Sequence, residues 1–253
     1  MLLPLEVSST MKTIINTTGL TKHFGDKVAV DHLNLEVFEG EIFGLLGVNG
    51  AGKTTTIRML TGLSAITEGD AVIMGHNVRT ELQEVKKLTN ISPQETAVAA
   101  HLTVKENLAF IARIYGLTKE QTEKNIASVF STLHLDEVQN QKAKTLSGGW
   151  QRRLSIAMAL ITDPKIIFLD EPTLGLDVLS RRELWKIISA LKGKVTIILT
   201  THYLDEVETL CDRIAIMAKG QLKALGTADA LKQQTGKDKL EDAFVEIVGG
   251  DNP

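Results

Sequence analysis

Residues 47–54 read Gly47-Val48-Asn49-Gly50-Ala51-Gly52-Lys53-Thr54, the pattern G-x-x-x-x-G-K-[ST]. The pattern follows a short apolar run, EIFGLLG at 41–47, and opens a helical stretch near Lys53, which is the context a phosphate-binding loop requires. Glycines let the backbone curl so that successive N–H groups face phosphate oxygens, and a helix N-terminus adds a favourable dipole. In that geometry Lys53 reaches the β- and γ-phosphates of a nucleotide and the Thr54 hydroxyl ligates Mg²⁺. The bland reading is a glycine turn followed by a surface lysine, and the strand before and helix after argue against it. Lys53 is otherwise expected to be exposed and to contribute little to stability.

Ile166-Ile167-Phe168-Leu169-Asp170-Glu171 sets four apolar residues ahead of two carboxylates. This is the form of a buried strand delivering acids to the C-terminal edge of a sheet, where the phosphate loop also lies. Asp170 would hold magnesium through water, and Glu171 would polarise the attacking water as general base. Alone, an Asp-Glu pair at a strand end is most often a solvated turn or a helix cap, and its partnership with the loop at 47–54 selects the acidic-site reading. Leu146-Ser147-Gly148-Gly149 precedes an amphipathic helix beginning near Trp150. There Ser147 is a good N-cap, and the glycine amides are either a second anion site or simply a flexible cap.

The elements that must position these residues follow from the apolar patterning. IIN, VAV and LNLEV between Ile14 and Val37 predict a hairpin-like antiparallel start. After the strand at 41–47, buried strands are expected at AVIM (71–74), KIIFLD (165–170), VTIILT (195–200) and RIAIMA (213–218). Most are separated by helical patterns, and that alternation indicates an α/β core with a largely parallel sheet. Between about Glu95 and Leu160 the strands stop, and VKENLAFIARIYG, EQTEKNIASVFSTL and QRRLSIAMALI show helical spacing. An inserted helical subdomain is expected there, and the stretch from Leu231 to Val248 is mixed and ambiguous.

Composition bounds the function. The chain has 253 residues, 43% hydrophobic and 23% charged, which is ordinary globular usage with room for a sizeable core. One cysteine, Cys211, excludes an internal disulfide or a cysteine-based zinc site and suits a reducing compartment. A net charge of -3 lacks the basic excess of nucleic-acid binders, so no nucleic-acid partner is expected. The longest run without a polar side chain, Ile42 to Val48, is far short of the roughly 20 residues of a membrane-spanning helix. MLLPLEVSST has no basic leader and is too short for a signal peptide, and Met11 is a plausible alternative start, so residues 1–10 read as an extension.

In this order, the loop at 47–54, LSGG at 146–149, IIFLDEP at 166–172, LGLD at 174–177 and a histidine after VTIILTT resemble the ATP-binding cassette (ABC) family of transporter ATPases. The resemblance covers nearly the whole chain from about residue 12. It implies a P-loop (RecA-like) α/β core with an antiparallel β subdomain and an inserted α-helical subdomain. The single ATPase domain would run from 12 to 248, with the core at about 12–94 and 162–230, the helical part at about 95–161 and a tail at about 231–253. In that family two cassettes sandwich two ATP molecules head to tail, so each site pairs one P-loop with the signature of the other subunit. Carried over, Gly47 to Thr55, including Asn49, Gly50, Ala51, Gly52, Lys53, Thr54 and Thr55, is the Walker A loop. Gln94, in ISPQE, looks like the glutamine that senses magnesium and contacts the membrane partner. Asp170 and Glu171 take the Walker B roles, and Ser147, Gly148 and Gly149 are the signature, touching the γ-phosphate in trans. Asp177 looks like the D-loop aspartate, His202 is similar to the switch histidine, and Phe24, in KHFG, sits where the family stacks an aromatic on adenine. One departure is plain: the family's LSGGQ is LSGGW here, with Trp150 in place of Gln. It puts the ribose-side contact and the packing of the signature helix in question more than hydrolysis.

TTTIRMLTGL, the helical region from ISPQE to LSGG, and KLEDAFVEIVG most resemble the branch whose ATPase is a separate chain working with an ABC-2-type permease, mostly exporters. The resemblance implies ATP and Mg²⁺ as ligands, a second cassette as partner (homodimer or closely related chain), and a place at the cytoplasmic face of the cell membrane by way of the permease. A soluble non-transport cassette acting on a macromolecule is the rival reading. Such relatives usually carry two cassettes or a long coiled-coil or basic insertion, neither of which this sequence has.

Overall fold

The computed structural model describes residues 11–249, so the reading of residues 1–10 as an extension lies outside the described residues. The chain opens as a hairpin, β1 (Thr13–Phe24) and β2 (Lys27–Phe38), antiparallel as expected and joined at Gly25. Then come β3 (Ile42–Leu46), α1 (Lys53–Leu60), β4 (Glu68–Ile73), β5 (His76–Asn77), α2 (Leu82–Leu88) and β6 (Thr89–Ser92). Three helices follow without a strand: α3 (Val104–Ile114), α4 (Lys119–Leu133) and α5 (Gly148–Leu160). Both α3 and α4 start with a capping box, Thr103 with Glu106 and Thr118 with Gln121, which closes their free amides. The alternation then resumes with β7 (Ile166–Asp170), α6 (Val178–Ala190), β8 (Thr196–Thr201), α7 (Leu204–Leu210), β9 (Arg213–Ala218) and β10 (Gln221–Gly226), before α8 (Ala228–Thr235) and α9 (Leu240–Gly249).

Two sheets result. One, in the order β2-β1-β4-β5, is antiparallel, and the other runs β10-β9-β3-β8-β7-β6. In the second sheet every pair is parallel except β10 with β9. The fold is therefore the α/β P-loop core with an antiparallel β subdomain and a helical portion. Its core lies on both faces of the large sheet, with side chains sorted by the two-residue period of a strand. Phe43, Leu45, Phe168, Ile198 and Met217 pack with α1 and the antiparallel sheet. Ile42, Leu46, Ile167, Leu169, Ile197, Leu199 and Ile216 pack with the helices on the other face. This double burial is why these strands read as unbroken apolar runs.

The AVIM strand is corrected by the structure. It belongs to β4, which pairs antiparallel with β1 and lies outside the parallel core. Its burial alternates, with Ala71 and Ile73 inside and their neighbours partly exposed, as expected of a sheet covered on one face. The ambiguous stretch after Leu231 folds as α8 and α9, burying Ala243 and placing Leu231 and Leu240 in the helical-face core. Among the described residues, no helix is long and apolar enough to cross a membrane.

Candidate functional site

The strand order brings the chemistry together. β8 lies between β3 and β7, all three parallel, so the loop after β3, the carboxylates ending β7 and the histidine after β8 emerge side by side at one sheet edge. The loop's shape depends on two glycines. A Cβ at Gly47 would lie 2.4 Å from the Met217 carbonyl oxygen, and Gly52, at φ 104°, would place one 2.7 Å from the Ala29 carbonyl oxygen. Gly52 also begins α1 without any side-chain cap, so the first amides of that helix are left for a ligand.

Lys53 is not the exposed lysine expected from the sequence: its side chain is 6% accessible. Its Nζ donates to the Gly47 carbonyl at 2.7 Å and lies 3.3 Å from Glu171 Oε1. The other oxygen of Glu171, Oε2, sits 2.9 Å from His202 Nδ1. Glu171 adopts φ +47°, a left-handed conformation costly for a residue with a side chain. Its N–H is held by both the carbonyl and the hydroxyl oxygen of Thr200, at 3.1 and 3.0 Å. One residue earlier, Asp170 Oδ1 accepts hydrogen bonds from Thr54 Oγ1 at 3.0 Å and from the Thr200 hydroxyl. Lysine, glutamate, histidine, threonine and aspartate therefore form one connected network.

Over this network lies a cleft of about 510 Å³. Phe24, Asn49, Gly50, Ala51, Gly52, Lys53, Thr54, Thr55, Gln94, Glu171 and His202 line it, so most of the predicted residues are brought together. Phe24 is 54% exposed at the hairpin tip, with Lys22 Nζ 4.9 Å from its ring centre. Gly47 and Asp170 do not line the cleft and support residues that do. Thr200, Lys27, Ala29 and Leu174 were not anticipated. For Thr200 the signal was a hydroxyl at the end of the apolar run VTIILT, beside the phosphate-loop strand.

Ser147, Gly148, Gly149 and Asp177 do not line this cleft. Ser147 caps α5, accepting from the Trp150 N–H at 3.5 Å. Asp177 caps α6, accepting from the Leu179 and Ser180 amides and, at 2.6 Å, from the Ser180 hydroxyl. Those bonds, the Ser180 hydroxyl foremost, hold the Asp177 carboxyl below its usual range. A Cβ on Gly149 would come within 3.0 Å of Ser180 Oγ, so the two capping turns touch. Trp150 lies under the Arg153 guanidinium at 4.6 Å, and Arg153 pairs with Glu183 of α6.

The donor set suits a magnesium nucleotide. A cation over a glycine loop with open helix amides matches a polyphosphate, and a threonine hydroxyl beside an aspartate oxygen offers hard ligands. Among the described residues no group of three His, Cys, Asp or Glu could cage a metal. A single hydroxyl-carboxylate pair is what Mg²⁺ uses when phosphates and water complete its shell.

Residues 30–174 match the ABC transporter family. The chain is 39% identical over 243 residues to the probable multidrug ABC transporter ATP-binding protein YbhF of Escherichia coli, covering 94% of this chain and 42% of that one. It is 44% identical over 211 residues to the human phospholipid-transporting ATPase ABCA3, covering 83% of this chain and 12% of that protein. It thus spans less than half the length of either relative. Among solved structures, an ATP-binding subunit of an ABC transporter superposes with TM-score 0.82 at 28% identity, covering 93% of this chain and 99% of that one. The cassette MJ0796, in a dimeric post-hydrolysis state with ADP and Pi, superposes with TM-score 0.75 at 26% identity, covering 85% and 98%. With the family matched over more than half its length and the fold shared with both structures, the chain belongs to the ABC transporter family as an ATP-binding cassette.

Proposed function

We propose that this chain binds and hydrolyses MgATP as the motor of an ABC-2-type exporter, residues 12–248 acting as one ATPase domain that couples nucleotide-driven dimerisation to a permease. The observation that carries the reading is Glu171 held between Lys53 and His202 at the edge of the nucleotide-sized cleft. The Lys53 ammonium neutralises β- and γ-phosphate charge, and the open amides of the loop and of α1 hold the phosphate oxygens. Thr54 and Asp170, with Gln94, would hold Mg²⁺, which would supply further positive charge to the same phosphates. Glu171 accepts a proton from the water attacking the γ-phosphorus, as the bond from that phosphorus to the β-γ bridging oxygen breaks. His202, holding Glu171 through Nδ1, keeps its other ring nitrogen for the ligand. Phe24 supplies the face on which adenine stacks.

Ser147, Gly148, Gly149 and Asp177 would complete the site of a second cassette. Leu174, Val178 and Leu179, exposed around Asp177, support a protein contact there. The dimeric state of MJ0796 is consistent with it. The permease would sit against the Gln94 side, where Phe110, Ile114 and Tyr115 are exposed on and just after α3, and would hold the chain at the cytoplasmic face of the membrane.

The test is Glu171→Gln. Calorimetry should find MgATP bound as in wild type while turnover falls about 10²–10³-fold, the scale of a lost general base. The variant should accumulate as an ATP-bound dimer in light scattering. Wild-type turnover in Glu171→Gln would remove Glu171 from the base role.

A further inference from the structure

Arg152, in the second turn of α5, is 4% exposed, yet it forms no ion pair among the described residues. Its hydrogen bonds all go to backbone carbonyls: Nε to Pro172 at 2.8 Å, one terminal nitrogen to Pro93 at 2.6 Å and Gln94 at 3.3 Å, and the other to Asp170 at 2.6 Å. Burial pulls the guanidinium down to about 10, with the carboxylates of Asp170, Glu206 and Glu171 opposing the fall, so it stays charged near neutrality. Burying a cation is costly, and a long apolar side chain would fill the same space without that cost. What only a guanidinium supplies is a rigid planar fork reaching four carbonyls on two separate backbone segments at once.

Those segments are informative. Asp170 and Pro172 flank Glu171, so the fork grips the backbone on both sides of the one strained residue at the end of β7. Thr200 holds the Glu171 N–H from the opposite strand. A left-handed glutamate persists only where its surroundings over-determine it, and Arg152 with Thr200 provides that determination. The same fork holds the carbonyls of Pro93 and Gln94, directly after β6. Arg152 itself rides on the helix whose N-cap is Ser147.

We infer that Arg152 is a positioning residue for hydrolysis: it fixes the backbone of Glu171 and joins it to the Gln94 turn and the Ser147 helix, so that a shift of either displaces the base. This rests on the reading of Glu171 as general base. Arg152 does not line the cleft, so its loss should lower kcat and leave nucleotide affinity alone.

The experiment compares Arg152→Gln and Arg152→Lys, each alone and combined with Glu171→Gln, by steady-state and single-turnover MgATP hydrolysis, calorimetric affinity and thermal unfolding. Arg152→Gln should lower kcat about 10–100-fold with KM and affinity within about twofold, the split expected when only transition-state geometry is lost. Arg152→Lys, which keeps a cation and three donors, should recover part of that loss, and it carries the test alone if Arg152→Gln does not fold. In the Glu171→Gln background either change should cost less than about twofold, because the group it positions is already gone. A merely structural role would lower the unfolding temperature while leaving kcat below that temperature unchanged, or would give the same fold-loss in both backgrounds, and either result overturns the inference. Wild-type turnover by Glu171→Gln alone would instead overturn the base assignment beneath it.

Discussion

Two groups of residues, both proposed above to face phosphate, are built in opposite ways. Lys53, Asp170 and Glu171 are 4–6% exposed and bonded to one another, to Thr54 and Thr200, and to His202. Their geometry is set before any ligand arrives. Ser147 and Asp177 are exposed, and the polar groups they offer are occupied only by the first turns of their own helices. The first group is a prebuilt half-site with a cavity over it. The second is a surface with two caps, a glycine amide and exposed leucines, and neither cap lines the cleft of the first. Burial buys preorganisation for the one, whereas exposure leaves the other free to meet a second chain.

Lys53→Ala attacks the prebuilt half and should have the largest effect, removing measurable MgATP binding in calorimetry because the phosphate charge is left uncompensated. It should also cost about 3 kcal/mol of stability, since it strips a buried carboxylate of its ion-pair partner. A thermal melt unchanged from wild type would mean the Lys53–Glu171 contact contributes nothing to the fold. Retained affinity would mean this loop is not the site.

Ser147→Arg attacks the exposed half. Nucleotide binding to the monomer should stay as in wild type, while dimerisation and hydrolysis are lost to a bulky cation in the proposed shared site. Mixing sharpens the comparison, because a heterodimer of Lys53→Ala and Ser147→Arg subunits contains one site with both halves intact. Some ATPase activity should return on mixing. Heterodimers demonstrated in solution yet as inactive as both parents would show that the halves do not combine as proposed.

Glu206 links the two regions and predicts a smaller, pH-dependent effect. Its Oε1 accepts from Thr173, just beyond the Glu171 turn, and from the Trp185 indole of α6, the helix that Asp177 caps. Burial raises the carboxyl above its ordinary value near 4.5, against hydrogen bonds that lower it. The folded state therefore keeps a proton that the unfolded chain releases, so wild type loses stability as pH climbs from about 4.5 to the raised value. Glu206→Gln has no such loss, and its stability relative to wild type, followed by urea melts, should rise across that window and then level off. A difference independent of pH would mean Glu206 is ionised alike in both states.

Trp150→Gln should matter least. The ring packs under Arg153, away from the cleft, so turnover should stay within roughly tenfold of wild type, about 1.4 kcal/mol in barrier terms. A larger loss would place the tryptophan in the proposed shared site itself.

The parts of the fold that were legible are those with strong local patterns. β3, β7, β8 and β9 are buried on both faces and read as unbroken apolar runs, and α3 and α4 show helical spacing and begin with capping boxes. β6 was not legible because TNIS has one apolar residue and sits at a sheet edge, where Ser92 is satisfied by the Ser155 hydroxyl. β10, QLKALG, is also an edge strand and half-exposed. AVIM carried strand propensity without a sign of which sheet would take it, since pairing with β1 is a long-range choice. Thr200 and Arg152 escaped notice because a threonine in a strand and an arginine in a helix are ordinary until their partners are known.

What the sequence by itself determined is the set of functional groups: a glycine loop before a lysine and threonine, two acids closing an apolar strand, and a histidine after another. Residue type and local spacing suffice for that, because a side chain's functional group and the strand or helix carrying it are local properties. What only the tertiary structure decided is how those groups are held. The 2.9 Å contact of His202 with Glu171, the burial of Lys53 against the same carboxylate, and the carbonyl grip of Arg152 across 18 to 59 residues of chain arise from strand order and packing. No local pattern encodes them, since each joins residues that meet only when the parallel sheet assembles and its buried polar groups must find partners.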